Sequence, residues 1–391
     1  MGTFLHERAR EIAQWAEPDN EDYPPLSSCS FCDSEVDPNG ENVAISWAQY
    51  MELVREGLSA LFVTGTEQGN PPSDGGDGLE WLSVEDVLSY CGDAIGDGPQ
   101  AYDLEEAIRN ELAEDVWTYR NFGWDQVEFK FGWERFKADS QGSDHLNSEV
   151  VLSPEKLLGR LETIITVLLN NDECDVLPIV PAGTKMWRVR PHEQPNPNFV
   201  PSGKELGSAP EVAARDNRFS PAGVSMFYGS DELETALSEI GYSECPYATA
   251  GQFQTTKDLV LLDLTDVDWF PSIFDPAEAR YYYEADFIRG FGEEIRRPLG
   301  EDDEDDDEAK AQHYRPTQRV VAEGILRFSE PIDGIRFKSA KDPERYNYVL
   351  FFGNEACGDL GGGDEAVLAL DLSTVETVPT GGVSSSEPDK T

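Results

Sequence analysis

The sequence predicts an α+β protein, in which a helical front half is followed by a domain built on a mixed or antiparallel sheet. Three observations predict it. Apolar residues recur at helical spacing through much of residues 1–175, as one buried helix face requires. The segment CDVLPIVPAGT, residues 174–184, then breaks that pattern with two prolines and a glycine. Beyond it come short apolar runs with β-branched residues and turns, the pattern of strands.

In chain order, helices are expected over 3–16, 45–63, 83–91, 102–116 and 154–170. Pro154 after Ser153 marks the last start, because a first-turn proline lacks only a donor that would be unpaired anyway. Breaks such as GNPPSDGGDG, residues 69–78, are loops by composition. The proline-bearing segment separates a helical domain over 1–175 from a second domain over 184–373. There MWRVR, VSMFYGS, LVLLDLTDV, GILRF, GIRFKS and YNYVLFF read as strands, and DELETALSEI and YYEADFIRGFGEEI as helices. The block EDDEDDDE, residues 301–308, repels itself and stays solvated, which predicts a disordered insertion over 299–312. A disordered tail is expected over 374–391.

With 391 residues and 39% hydrophobic content, the chain can bury a sizeable core, and its length favours two domains. Charge is the outlier. Seventy-seven acidic against 30 basic residues give a formal charge of −47, so nonspecific binding to phosphate backbones is not expected. The acids are spread along the chain, which points to the surface of a halophilic protein, since screening over about 3 Å at 1 M salt makes such charge tolerable. The opening MGTFLHERAREIAQW mixes charges and builds no apolar segment, so neither a signal peptide nor a membrane span is read and a cytoplasmic location is expected. Six scattered cysteines fit reduced thiols. Cys29 and Cys32 form one C-x-x-C, half of a zinc site, with only Cys91, Cys174 and His6 to complete it through the fold; no metal is assigned.

The most informative stretch is NRFSPAGVSMFYGSDELETALSE, residues 217–239, which sets Arg218, Tyr228 and Glu239 along one strand-to-helix unit. Arg218 can fork onto a phosphate, Tyr228 offers a flat ring with a polar tip, and Glu239 can face a cation forming at a sugar carbon. Asp231 and Glu234 read as a capped helix start. Leu233, Ala236, Leu237 and Ile240 share one face, and Glu239 falls roughly 110° from its middle, at the flank where a side chain reaches a cleft. A hundred residues later, IDGIRFKSAKDPERYNYVLFF supplies Ser339.

From about Trp187 to Phe352, the order of WRVR, NRFSPAG, FYGSDELETALSE, YRPTQ and DGIRFKSA resembles the RES family, named for an arginine, a glutamate and a serine. Here those letters are Arg218, Glu239 and Ser339. The resemblance implies a core like that of the ADP-ribosyltransferase toxins and an enzyme that consumes NAD at the ribose carbon carrying nicotinamide. Glu239 would stabilise the oxocarbenium-like transition state. Arg218 would hold the pyrophosphate or adjacent ribose, Tyr228 would stack on or beside the nicotinamide, and Ser339 would bond the ribose or orient the glutamate. Arg188 is a further phosphate ligand, with Arg190 its equal by spacing. Thr317 and Gln318 match a segment near the family's site. Water, phosphate or a macromolecule could accept the ribosyl group; a weakly catalytic nucleotide sensor is the alternative. RES toxins usually travel with a separate antitoxin. The front half, with CSFCD and WERF, is similar to the HEPN-type domains found ahead of some RES domains. Arg135 and His145 stand too far apart there for the usual HEPN ribonuclease pair.

Overall fold

The computed structural model describes residues 3–14, 28, 45–65, 81–95, 101–113, 115–120, 136–138, 140, 141, 159, 163, 176–192, 200–240, 246–265, 271–279, 281–297, 307–328, 331–363 and 365–379. The chain divides into two compact units, Met1–Val127 with Phe270–Ala285, and Glu128–Trp269 with Asp286–Thr391.

In the first unit, helix Thr3–Gln14 buries Leu5, Ala9 and Ala13, four residues apart along one face. Helix Trp47–Ser59 starts at Ser46, whose side chain accepts from Gln49 N while the Gln49 side chain accepts from Ser46 N. That reciprocal pair satisfies two donors that a helix start leaves orphaned. Shorter helices follow at Val84–Leu88, Gly92–Ile95 and Ala101–Leu112. The unit is not all helical, contrary to the sequence expectation. Strands β1 (Phe62–Thr64), β2 (Trp81–Leu82) and β3 (Trp117–Tyr119) form an antiparallel sheet in the order β1-β3-β2. FVT and WTY are β-branched and aromatic, but at three residues each they are too short to display an alternation of period two. Of the helix expected over 154–170, only Gly159 and Thr163 are described.

The second unit is built on nine strands: β4 (Ile179–Val180), β5 (Lys185–His192), β6 (Phe227–Ser230), β7 (Tyr247–Thr255), β8 (Leu259–Asp263), β9 (Gly334–Lys338), β10 (Tyr346–Leu350), β11 (Cys357–Asp359) and β12 (Leu368–Pro379). Their order is β11-β12-β7-β5-β6-β10-β9-β8-β4. The sheet is mixed, as expected, because β8–β9 and β11–β12 run parallel and the other neighbours antiparallel. Met186, Phe227, Phe253, Leu261, Leu350 and Leu370 belong to one buried cluster. Helix Leu233–Glu239 packs its apolar side, with Leu233, Ala236, Leu237 and the following Ile240, into a second cluster around Val189, Ala248 and Ala250. The sheet almost parts at its centre. β5 and β6 share the single register pair Trp187↔Ser230, whereas β5 and β7 share eight.

Three local expectations change. GILRF is not a strand: helix Asp307–Arg319 runs on through a π turn at Val320–Gly324 and a 3₁₀ turn at Ile325–Arg327. Val320, Val321 and Ile325 are buried at helical spacing, so tertiary packing overrides the β preference of the branched residues. The insertion expected to be disordered over 299–312 is helical from Asp307. The expected tail from 374 belongs to β12 through Pro379, paired with β7 across a bulge between Asp371 and Glu376. Among the described residues, no helix is long and apolar enough to cross a membrane.

Candidate active site

Where β5 and β6 separate, a cavity of about 400 Å³ opens between their ends, helix Leu233–Glu239, the 217–220 turn and β10. Its size is that of a small-ligand pocket. Its charge is opposite to the chain's: among the described residues Arg188, Arg215, Arg218 and Lys341 line it, against the single carboxylate of Glu239. An anionic ligand fits such a wall.

Asn217 and Ser220 exchange backbone hydrogen bonds of 2.8 and 3.2 Å, making a tight turn with Arg218 and Phe219 at its tip. Phe219 is buried against Phe337 and fixes the turn to the sheet. Arg218 then reaches helix Tyr282–Arg296, donating from Nη1 to Glu294 O at 2.7 Å and from Nη2 to Arg297 O at 2.6 Å, with its guanidinium 5.5 Å from the Tyr314 ring centroid. Carbonyls at a helix C-terminus suit a cation. Two of its donors are thus committed to protein, while the side chain still lines the cavity. Burial lowers its pKa, and Tyr314, Glu294 and Glu239 pull it back up. Gln318 fixes the same turn through Nε2 to Asn217 O at 2.8 Å. The YRPTQ segment therefore adjoins the cavity, although it is Tyr314, not the fully buried Thr317, that lines it.

Tyr228 lies on β6 with its hydroxyl 2.8 Å from Ser220 Oγ. Burial pushes its pKa up to about 12, so the phenol stays neutral at ordinary pH. Arg188 donates from Nη1 to Tyr228 O at 2.8 Å, bridging the gap between β5 and β6. Its Nε is buried with no hydrogen-bond partner, and no carboxylate pairs with it among the described residues. Burial first, then repulsion from Arg190, lowers its pKa to about 10, which leaves it charged at pH 7. Arg190 differs. Its guanidinium reaches Gly207 O at 3.4 Å and does not line the cavity. Geometry separates what spacing left equal.

A buried cation with an orphaned donor destabilises the free protein and attracts an anion. Arg188→Met is therefore expected to leave the melting temperature within a few degrees of wild type or above it. The KM for an anionic ligand should rise at least about tenfold, a loss of roughly 1.4 kcal/mol. Thermal melts and steady-state kinetics on one preparation check both signs.

Glu239 is the last residue of helix Leu233–Glu239, and its Oε1 accepts from Ser339 Oγ at 2.6 Å and from Asn347 Nδ2 at 2.8 Å. Ser339 follows β9 and is also a turn hydroxyl: its Oγ accepts from Lys341 N at 3.1 Å and Asp342 N at 3.2 Å. Asp231 does not cap the helix. The N-cap is Glu232, whose side chain makes no capping bond, and the Asp231 carboxylate instead accepts from Tyr346 N on β10 at 3.1 Å. A neighbouring strand edge offered it a better donor than its own helix did. Arg218 and Glu239 thus line one cavity, and Ser339, a hundred residues further along the chain, joins them through its bond to Glu239.

Residues 185–360 match the family profile described as RES domain. This segment is a RES domain. No curated protein and no solved structure gives a significant match. RES domains are generally NAD-related and toxin-like, and the HEPN resemblance of the front half has no match beside it.

Sequence reading missed Asn347, Tyr314, Arg215 and Lys341. Asn347 did carry a signal, since a lone amide within the apolar run YNYVLFF demands a partner. Of the possible zinc ligands, Cys29, Cys32, Cys174 and the His6 side chain lie outside the described residues, as do Arg135 and His145. Cys91 is buried, and its thiol is pushed up to about 12 by desolvation, which keeps it protonated. No metal-binding cluster occurs among the described residues.

Proposed function

We propose that the RES domain binds NAD and breaks the bond between nicotinamide and ribose, as a toxin-like or defence effector. The observation that carries this reading is the Ser339–Glu239–Asn347 contact at the edge of a cavity lined by four cations. As the C–N bond lengthens, its electron pair leaves with the nicotinamide, and positive charge grows on the ribose carbon and ring oxygen. A fixed carboxylate lowers the energy of that charge, and it acts most strongly where its orientation is set beforehand. Arg188, Arg215 and Lys341 supply charge for the pyrophosphate, while Arg218 shapes the turn and adds to the same field. Tyr228 and Tyr314 offer neutral aromatic faces for the nicotinamide or its ribose.

The test is direct. Purified full-length protein mixed with NAD should release nicotinamide, and chromatography of the other product names the acceptor. ADP-ribose identifies water, its phosphate ester identifies phosphate, and label retained on a macromolecule identifies transfer. Intact NAD across salt and phosphate conditions, with measurable binding, would replace this reading with that of a nucleotide sensor.

A further inference from the structure

We infer that Asn347 is a positioning residue that sets which oxygen of Glu239 faces the substrate, and that Ser230 sets Asn347; the inference rests on the NAD reading of this site. β6 and β10 pair with Asn347 opposite Ser230, so the two side chains rise from the same face of the sheet. Ser230 Oγ donates to Asn347 Oδ1 at 2.5 Å, and Asn347 Nδ2 donates to Glu239 Oε1 at 2.8 Å. Both donors to the carboxylate are buried, Asn347 at 7% exposed and Ser339 at 2%, and so is Ser230 behind them, at 3%.

Each orientation is forced. The Ser339 hydroxyl already accepts two backbone N–H groups, so its own hydrogen goes to Glu239. The Asn347 amide would place oxygen against oxygen if it were flipped, and the Ser230 hydroxyl holds it from the other side. Oε1 therefore takes two donors, while among the described residues no hydrogen bond reaches Oε2. The bare oxygen is the one left for a developing cation. A chain of buried, fully matched hydrogen bonds confers this precision only while every link is present.

Kinetics on the full-length protein test it. Asn347→Ala should lower kcat for nicotinamide release about tenfold or more with KM moving less than about threefold, since ground-state binding is untouched. Asn347→Asp is nearly isosteric yet should cost more, about a hundredfold, because it sets a carboxylate against Oε1. Ser230→Ala should also lower kcat, and Ser230→Ala combined with Asn347→Ala should be no slower than Asn347→Ala alone. Wild-type turnover by Asn347→Asp, or multiplicative losses in the double variant, would overturn the inference.

A second measurement needs no turnover, so it separates failure of this inference from failure of the NAD reading. The side-chain amide resonance of Asn347, identified by its loss in Asn347→Ala, should move in both Glu239→Gln and Ser230→Ala. Should it stay in place in both, the relay is absent whatever the enzyme does. A protein that releases no nicotinamide but shows both movements keeps the relay and loses the NAD chemistry.

Discussion

Glu239→Gln is expected to cut kcat for nicotinamide release by about 10²–10³ while leaving NAD affinity within about threefold. The substitution keeps the shape of the side chain. Ser339 and Asn347 both donate at Oε1, so the glutamine oxygen will turn to them and the amide nitrogen will occupy the place of Oε2. What changes is the charge opposite the breaking bond. Rapid-quench turnover and calorimetric NAD binding on the same variant measure the two quantities separately. Equal loss of both would mean that Glu239 binds and does no more; full activity would remove it from the chemistry.

Gly203→Ala is expected to destabilise the sheet unit by about 3 kcal/mol, the upper end for forcing atoms into a packed interior. Gly203 opens helix Gly203–Leu206 after the Ser202 cap, and its N–H donates to Asp359 Oδ1 at 2.6 Å. A Cβ there would collide with the Gly358 carbonyl on β11, which is backbone and cannot rotate away. The helix would have to lift from the strand, breaking the Asp359 bond as it moved. Gly92→Ala, where a Cβ meets open space, is the control and should change stability by less than about 1 kcal/mol. Urea melts of the two variants beside wild type decide; equal midpoints would show that the helix does not need this close approach.

Local periodicity made the helix ending at Glu239 legible, down to the face formed by Leu233, Ala236 and Leu237, because those contacts follow from spacing alone. Strands such as MWRVR and YNYVLFF were legible for the same reason. β7 was not, since YATAGQFQT is rich in alanine, glycine and glutamine and becomes a strand through its pairing with β5 and β12. The helix from Asp307 hid behind the acidic block in which it starts, and the strand triplets of the first unit behind their length. In the site, Arg218, Tyr228 and Glu239 could be picked out because they sit within one short segment. Asn347 could not. Its meaning lies in contacts with Glu239 and Ser230, 108 and 117 residues away, which no window along the chain can hold.

The cross-strand pair Ser230↔Asn347 has a consequence for how this chain can change. Because the carboxylate and its two donors are brought together by neighbouring strands, the length of chain joining them drops out of the geometry. A segment inserted in a loop between Glu239 and Ser339 costs loop-closure entropy, about 0.6 kcal/mol for each doubling of the loop's length, and moves no reacting atom. A single residue added inside β6 or β10 is far worse, since a one-place slip turns Ser230 or Asn347 to the opposite face. The acidic block at 301–308 falls in the tolerant interval. Lengthening or shortening the loops between these elements is the freedom the pairing grants, and the register of two short strands is the part of the sequence with no slack.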